Sequence, residues 1–283
     1  MFKIIRKKEL NPSVTLMDIH APLIANKAKA GQFIIFRVDE EGERIPLTIA
    51  DTNPETGAIT IIFQKAGFST ELLGSKNEGD TILDFVGPLG VATELESCKK
   101  AAVIGGGVGC AIALPQAKAL FNSGCQVDVI AGFRTQEIVI LEEEMSAVST
   151  NYYLMTDDGT KGEKGFVTNK LKDLIDSGEQ YDVVIAIGPI PMMKFVALTT
   201  KPYNIKTIVS LNPVMVDGTG MCGGCRVSVG GEMKFACVDG PDFDGHEVDF
   251  DELMFRNSTY KQQEEEMKTE HKCRMTAMAD KLL

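Results

Sequence analysis

The sequence contains no apolar run that approaches the roughly 18 residues of a membrane-spanning helix. Its first residues, Met1 to Lys8, interrupt their apolar stretch with charge too early for a secretory signal. We therefore expect a protein of the cytoplasm. In that compartment the seven cysteines are expected to be reduced thiols or metal ligands, not a disulfide framework.

Basic residues are in the minority. Lysine and arginine number 29 against 40 aspartates and glutamates, so the net charge is −11. An acidic chain is a poor candidate for sequence-independent binding to nucleic acid, because that binding needs many cationic contacts to phosphate. It is equally unsuited to an anionic membrane surface. We expect neither nucleic acid nor a membrane as a partner.

Histidine is scarce as well, with three residues in the chain. His20, His246 and His271 stand apart from one another, so they predict no Ser-His-Asp arrangement. The remaining composition, 44% hydrophobic and 24% charged, is ordinary for globular proteins and argues against wholesale disorder. A chain of 283 residues is long enough for about two domains and a small addition.

Residues 1–97 have the pattern of an antiparallel β domain. Short alternating runs, such as residues 32–38 and 58–63, lie between turn signals rich in glycine, asparagine and aspartate. The one helical candidate here is short and lies near residues 69–73. Several short strands at close spacing predict a small antiparallel barrel.

Residues 98–205 alternate between strand and helix patterns. Strands are predicted near 101–104, 127–131, 151–155 and 181–187, and helices before residue 121 and over 137–145 and 167–176. This alternation is typical of a doubly wound α/β domain with a parallel sheet.

Residues 206–250 form a third part, rich in glycine and cysteine, and residues 251–283 form a charged tail that favours helix. The tail has no glycine or proline, and it carries methionines and aromatic residues at irregular spacing. Two interpretations remain open: a solvated terminal helix, or a docking element for a partner subunit.

The sequence Gly105-Gly106-Gly107-Val108-Gly109 follows a buried strand and precedes a helix. Such a loop lets backbone N–H groups approach a pyrophosphate at the positive end of the helix. The alternative is a tight strand-to-helix turn.

About 20 residues after this loop, Arg134 stands where the acidic residue of a standard dinucleotide fold is expected. Its guanidinium could meet a ribose or a 2′-phosphate, or it could be an ordinary surface arginine.

The sequence Arg44-Ile45-Pro46-Leu47-Thr48 lies in the β part. The arginine offers a rigid donor fork suited to phosphate, and the proline fixes the local backbone. On chemistry alone, a proline at a strand entry beside an exposed arginine explains the same residues at least as well.

Cys222, Cys225 and Cys237 form a strong metal-binding pattern, a Cys-x2-Cys pair with a third cysteine twelve residues on. Zinc needs four ligands, and Asp217 or a histidine, with His246 the nearest, could be the fourth. A [2Fe–2S] cluster also needs four protein ligands, often with Cys-x4-Cys-x2-Cys spacing. Asp217 occupies the position of the first cysteine in that spacing. Buried cysteines without a ligand are the remaining alternative.

Taken together, these residues resemble the ferredoxin–NADP reductase superfamily, and within it the electron-transfer subunits of dihydroorotate dehydrogenase. The resemblance implies that Arg44, Pro46, Leu47 and Thr48 bind FAD, together with a second flavin segment that contains Gly67, Ser69 and Thr70. The matching segments are, in chain order, 44–48, 66–72, Gly87-Pro88-Leu89-Gly90, 105–109, 158–167, 187–192 and 217–243. Ile187 stands where the family has a cysteine beside the nicotinamide.

Asp217 and the tail after Asp251 depart from the dihydroorotate subunits and resemble the small subunits of NADH-dependent reduced ferredoxin:NADP⁺ oxidoreductases, also called sulfide dehydrogenase β subunits. This resemblance implies three cofactors: FAD, NAD(H), and a [2Fe–2S] cluster ligated by Asp217, Cys222, Cys225 and Cys237. It also implies electron bifurcation with a large glutamate-synthase-like flavin and iron–sulfur subunit, through which ferredoxin exchanges electrons. NADH would deliver a hydride to FAD, and single electrons would pass through the cluster to the partner flavin.

Two rival functions remain open: a dihydroorotate dehydrogenase electron-transfer subunit, and a zinc-stapled nucleotide-binding regulator. For the nucleotide, the resemblance favours NAD(H) over NADP(H). Arg134 could hold a 2′-phosphate, whereas Asp157 and Asp158 would repel one if they lie near the adenosine ribose.

Overall fold

In a computed structural model, which describes residues 1–94, 98–259 and 263, the first part of the chain is a nearly closed antiparallel barrel. Its seven strands pair in the order β6-β1-β2-β5-β4-β3-β7. The predicted barrel is thereby confirmed. The strands are β1 Phe2–Asn11, β2 Val14–His20, β3 Phe33–Arg37, β4 Ile45–Asn53, β5 Ala58–Gln64, β6 Thr81–Ile82 and β7 Asp84–Leu89, with helices α1 Pro22–Ala25 and α2 Phe68–Ser75.

Strand β3 is buried on both faces. Ile34 and Phe36 point into the barrel core, whereas Phe33 and Ile35 pack into the core of the following α/β part. Successive side chains of a strand point to opposite faces, so one short strand can join two cores. The barrel is therefore fixed directly against the rest of the protein.

The second part is an α/β domain built on a parallel sheet, as predicted. The strand order is β11-β10-β9-β8-β12-β13-β16. The last strand, β16 (Asp242–Asp244), is the one strand of this sheet that is antiparallel to its neighbour. The elements are β8 Lys100–Gly106, α3 Gly109–Asn122, β9 Gln126–Phe133, α4 Glu142–Ala147, β10 Asn151–Thr156, β11 Glu163–Lys164, α5 Val167–Asp176, β12 Val183–Ile187, α6 Ile190–Thr200 and β13 Lys206–Ser210.

The helix predicted over residues 137–145 is interrupted. A short 3-10 turn covers Gln136–Ile138, and α4 begins only at Glu142. Between them Ile140 and Leu141 are buried, and Leu141 has a left-handed backbone with φ 58°. Burial of these two side chains against the sheet takes precedence over local helix propensity.

The glycine- and cysteine-rich part is attached to the edge of the same sheet. A hairpin of β14 Arg226–Val229 and β15 Glu232–Phe235 is followed by β16 Asp242–Asp244, which pairs with β13. Helix α7 spans Phe250–Ser258. Asp249 caps its N-terminus, because the Asp249 carboxylate accepts a hydrogen bond from the Glu252 N–H. Except for Gln263, the predicted tail beyond Thr259 lies outside the described residues.

The expectation that the cysteines are all thiols or metal ligands is wrong for one pair, because Cys98 and Cys125 form a disulfide. Cys98 stands two residues before β8 and Cys125 directly before the neighbouring parallel strand β9, and the Gln126 N–H donates to the Lys99 carbonyl beside them. Strand pairing thus brings together two cysteines that are 27 residues apart. Among the described residues, no helix is long and apolar enough to cross a membrane.

Candidate functional site

The first candidate flavin segment lies at the start of β4. Pro46 pairs with Ile35 and Thr48 with Phe33 across the β3–β4 ladder, while Leu47 packs into the barrel core. Pro46 and Thr48 therefore point away from that core, on the face shared with Ile35. Arg44 precedes the strand and is exposed, so its guanidinium is available to a phosphate.

The second candidate flavin segment forms the beginning of α2. Thr70 Oγ1 accepts hydrogen bonds from the Ala66 and Gly67 N–H groups and donates to the Gly67 carbonyl, which fixes the entry into the helix. Ser69 is buried, and its hydroxyl donates to Glu43 Oε2 at 3.2 Å. Glu43 is the direct neighbour of Arg44, so the two predicted flavin segments meet. Sequence reasoning missed Glu43, which stands beside a predicted site residue but belongs to no motif.

The glycine-rich loop connects β8 to α3. Gly105 and Gly106 end the strand, and Gly109 begins the helix. Gly107 has φ +58° and faces open space, a conformation that side-chain-bearing residues rarely adopt. A Cβ on Gly109 would clash with the Ile187 carbonyl oxygen and lie 2.8 Å from the Gly188 Cα. The loop therefore holds the helix N-terminus close to the sheet and leaves its outer side free for a pyrophosphate.

Arg134 and Asp157 lie next to each other at the carboxyl edge of the parallel sheet. Arg134 follows β9 and Asp157 follows β10, and the Asp157 N–H donates to the Phe133 carbonyl at 3.0 Å. Both side chains are exposed. The glycine-rich loop leaves β8 at the same edge, which is where ligands bind in open α/β sheets. The structure therefore places the glycine-rich loop, Arg134 and Asp157 at one edge of the sheet, and their contact with a pyridine nucleotide stays a prediction.

The four predicted cluster ligands are only partly brought together. Cys225 and Cys237 are buried, with their Sγ atoms 3.2 Å apart. Cys222 is exposed, and the Asp217 carboxylate accepts hydrogen bonds from the backbone N–H groups of Thr219, at 2.8 Å, and Cys222, at 2.7 Å. Within the described part of the chain, no three Cys, His, Asp or Glu side chains are close enough to hold a metal ion.

The chemistry of this donor set nevertheless fits a cationic metal group. The pKa of the Cys237 thiol is raised to about 12, chiefly by burial and in addition by the adjacent sulfur of Cys225 and the charge of Asp217. Two buried sulfurs in contact ionise only if a positive charge is bound to them, which is what a metal centre supplies. Hydrogen bonds from Thr219 and Cys222 hold the pKa of Asp217 below its ordinary value, so the carboxylate is ionised.

The loop that carries Asp217 and Cys222 lies against strands β3 and β7 of the barrel. A Cβ atom on Gly218 would lie 2.7 Å from Ile35 Cδ1 and 2.8 Å from Leu89 Cδ1. Ile35 is the cross-strand neighbour of Pro46. The loop that carries Asp217 and Cys222 therefore lies beside the face of the barrel to which Pro46 and Thr48 point.

Comparisons with known proteins agree with this geometry. A family model for the iron–sulfur cluster binding domain of dihydroorotate dehydrogenase B matches residues 212–249, and a model for the oxidoreductase NAD-binding domain matches residues 103–198. The chain is 46% identical to the dihydroorotate dehydrogenase B (NAD⁺) electron transfer subunit homolog of Thermotoga maritima, over 93% of this chain and 92% of the relative.

Two further relatives extend the comparison. The dihydroorotate dehydrogenase B (NAD⁺) electron transfer subunit of a Geobacillus species is 32% identical, over 87% of this chain and 96% of the relative. A solved structure of the NADH-dependent reduced ferredoxin-NADP oxidoreductase, described for its insights into flavin-based electron bifurcation, superimposes with a TM-score of 0.91. The two chains are 43% identical, and the match covers 96% of this chain and 97% of that one.

These matches confirm the predicted fold class and the predicted cofactor set of FAD, an iron–sulfur cluster and NAD(H). They also confirm an oxidoreductase subunit that transfers electrons within a complex of more than one subunit. The chain belongs to the family of dihydroorotate dehydrogenase B electron transfer subunits.

Proposed function

We propose that this protein is the NAD(H)-reacting subunit of a cytoplasmic NADH-dependent reduced ferredoxin:NADP⁺ oxidoreductase that performs electron bifurcation. Its partner is a large glutamate-synthase-like subunit with flavin and iron–sulfur centres, through which ferredoxin exchanges electrons. The contact of Gly218 with Ile35 and Leu89 carries this proposal, because it seats the cluster loop on the flavin side of the barrel. The 43% identity over nearly the whole of both chains supports the choice of enzyme.

When bound, a flavin exchanges a hydride with the nicotinamide and single electrons with an iron–sulfur cluster, so the cofactors supply the redox chemistry. The residues of this chain bind, orient and insulate the cofactors. Arg44 offers its guanidinium to a phosphate, and Pro46, Leu47 and Thr48, with Gly67, Ser69 and Thr70, form the two flavin segments that meet at Glu43. The loop of Gly105, Gly106, Gly107 and Gly109 faces the pyridine nucleotide. Asp217, Cys222, Cys225 and Cys237 hold the cluster.

A second candidate is the electron-transfer subunit of a dihydroorotate dehydrogenase. It is favoured by the match of residues 212–249 to the iron–sulfur domain of that enzyme and by the names of two relatives. Against it stands Asp217, which occupies the position of a cysteine ligand in the dihydroorotate subunits. The partner subunit distinguishes the two candidates.

The decisive experiment is purification of the complex from its native host through a tag on this chain. The proposal expects a brown-yellow protein with FAD, iron and labile sulfide, a glutamate-synthase-like partner, and flavin reduction by NADH. Co-purification of a dihydroorotate-oxidising subunit would favour the second candidate. A colourless preparation that contains zinc would contradict both and indicate the nucleotide-binding regulator.

We also propose that the tail from Asp251 to Leu283 docks on the partner. Its first turns form α7, whose Leu253 is buried in the core, so a truncation at Asp251 would damage this subunit itself. A stop after Thr259 leaves α7 intact and is the better test. It should leave FAD and cluster content unchanged and weaken subunit association. Full co-purification with full electron-transfer rate would exclude the docking role.

A further inference from the structure

The segment 240–242, just after the last cluster cysteine, touches both other parts of the protein. The Val91 N–H, in the chain that leaves the barrel, donates to the Gly240 carbonyl at 2.7 Å. The Leu211 N–H, at the end of β13, donates to the Pro241 carbonyl at 2.9 Å. The next residue, Asp242, directs its side chain into the same junction.

Asp242 connects the three parts through its carboxyl group. Its Oδ2 atom accepts a hydrogen bond from the Thr93 hydroxyl at 2.5 Å and another from Gln116 Nε2 at 3.0 Å. Gln116 lies on α3, is fully buried, and also donates to Thr93 Oγ1 at 2.9 Å. One carboxyl group therefore joins the cluster segment, the end of the barrel domain and the first helix of the α/β domain.

Two buried oxygens at this junction have no hydrogen-bond partner among the described residues: Oδ1 of Asp242 and Oε1 of Gln116. If Asp242 is ionised, both are acceptors and neither can satisfy the other. The polar side chains that face Asp242 come from the 91–93 segment, α3 and β13, and they are Thr93, Gln116 and Ser210, none of which is charged. A buried carboxylate with no cation beside it is costly.

We propose that Asp242 is protonated in the folded protein and that its Oδ1–H donates to Gln116 Oε1. The acid and the amide then form a pair with a hydrogen bond in each direction, and both unpartnered oxygens are satisfied. Asp242 is thus a positioning residue, which holds the cluster segment against both nucleotide-binding parts. Burial raises the pKa of Asp242 above that of an exposed aspartate, and the polar groups of Thr93, Ser210 and Gln116 oppose this shift only in part. This inference goes beyond the proposed function, and its failure would leave that function standing.

The protonation state is tested on the cofactor-loaded protein by infrared spectroscopy with ¹³C-aspartate labelling. At a pH about two units above the ordinary aspartate pKa, wild type should show one protonated carboxyl band that shifts on labelling. Asp242→Asn should lack that band. The exposed aspartate Asp173 on α5 offers a control, and Asp173→Asn should retain the band. A wild-type spectrum without the band would overturn the proposal.

The positioning role is tested by hydrogen exchange of the 91–93 and 240–244 backbone. Asp242→Asn replaces the acid by a neutral group that still donates and accepts, so it should keep wild-type protection. Asp242→Ala should exchange about tenfold faster there, as expected for the loss of a buried hydrogen bond. Equal protection in Asp242→Ala and wild type would refute the role.

A pH series distinguishes a protonated Asp242 from a side chain that makes only structural contacts. A raised pKa means that the folded state binds the proton more tightly than the unfolded state does. The stability of wild type should therefore fall, relative to Asp242→Asn, as the pH rises from the ordinary aspartate pKa to that of Asp242. Parallel pH profiles for the two proteins would contradict the proposal.

Discussion

The Sγ atoms of Cys225 and Cys237 lie 3.2 Å apart although twelve residues separate them along the chain. The β14–β15 hairpin between them returns the backbone, and the Ala236 N–H donates to the Cys225 carbonyl at 3.1 Å. The Cys237 N–H also points to Cys225 Sγ at 3.4 Å. The hairpin thus places two of the predicted ligands side by side, whereas Asp217 and Cys222 lie on the loop that precedes it.

Asp217 is predicted to be a cluster ligand. Asp217→Ala should lower iron and labile sulfide content, because it removes an anionic ligand from the site. Asp217→Cys should retain a cluster with a shifted reduction potential, since a thiolate donates more electron density than a carboxylate. Metal analysis, EPR and a redox titration measure these effects. Unchanged iron content and EPR signal in Asp217→Ala would show that the assignment is wrong.

Asp217→Asn is an intermediate control, because Thr219 and Cys222 donate to different carboxylate oxygens and the single asparagine oxygen can keep one of these two hydrogen bonds. If the carboxylate binds iron, Asn should lose cluster almost as Ala does. If Asp217 only stabilises the loop through these hydrogen bonds, Asn should keep clearly more iron than Ala, because it retains one of them.

Gly107→Ala should raise the KM for NADH in addition to lowering the stability of the fold. The residue faces open space with a left-handed backbone, so alanine costs about 1–2 kcal/mol in stability and places a methyl group where the pyrophosphate is expected. Gly124, at the other end of α3, also has a positive φ and open space around it. Gly124→Ala should show a similar loss in thermal unfolding but an unchanged KM for NADH. Equal effects on KM in the two variants would argue against the loop as the nucleotide site.

The pyridine nucleotide is predicted to be NAD(H) rather than NADP(H). The exposed carboxylate of Asp157 lies beside Arg134 at the edge of the sheet and would repel a 2′-phosphate. Asp157→Asn should improve flavin reduction by NADPH roughly two- to fivefold, the range expected for one exposed charge interaction. Stopped-flow reduction with each nucleotide measures this, with Asp173→Asn as the control. Clearly faster reduction of wild type by NADPH would reverse the prediction.

Asp128 is predicted to stabilise the α/β domain through Lys100. The Asp128 carboxylate is buried, accepts from the Tyr181 hydroxyl at 2.8 Å and lies 3.1 Å from Lys100 Nζ. Asp128→Ala should cost about 1–3 kcal/mol in the free energy of unfolding, because it removes the buried acceptor of the Tyr181 hydroxyl and one partner of Lys100, which keeps Glu179. Lys118→Ala breaks the exposed pair with Asp51 and should cost at most about 1 kcal/mol. Similar costs for the two variants in urea unfolding would contradict this account.

The ion pair between Lys100 and Asp128 predicts a loss of stability at alkaline pH. Desolvation lowers the pKa of Lys100, but hydrogen bonds and charge from Glu179 and Asp128 outweigh it and raise that pKa above its ordinary value. A raised lysine pKa stabilises the fold below the unfolded pKa of roughly 10.4, and this contribution is lost as the pH rises through the folded value. Lys100→Met should therefore have a flatter stability profile above that pH than wild type. An equally steep decline in both would assign the effect to other groups.

Local patterns were enough to predict the barrel and the parallel sheet, whereas the residues of the flavin segments were implied by the family resemblance and stay predictions. The alternation of residues 58–63 indicated a strand, and α5 runs over Val167–Asp176, the range in which a helix was predicted. The glycines after β8 and the cysteine spacing indicated their chemistry because phosphate approach and metal ligation need those residues in that local order. The interrupted helix at 137–145 could not be predicted, since its break at Leu141 depends on burial against a sheet that forms elsewhere in the chain.

Contacts between distant segments were decided only by the tertiary structure. No spacing in the sequence indicates that Cys98 reaches Cys125, that Glu43 meets Ser69, or that Gly218 rests on Ile35. No local pattern around Asp242 indicates that Thr93 and Gln116 bond to its carboxyl group. Sequence sets the chemistry that each residue can perform, because that depends on the side chain and its near neighbours. Folding sets which residues share a site and how deeply each is buried, because both depend on the packing of segments that are distant along the chain.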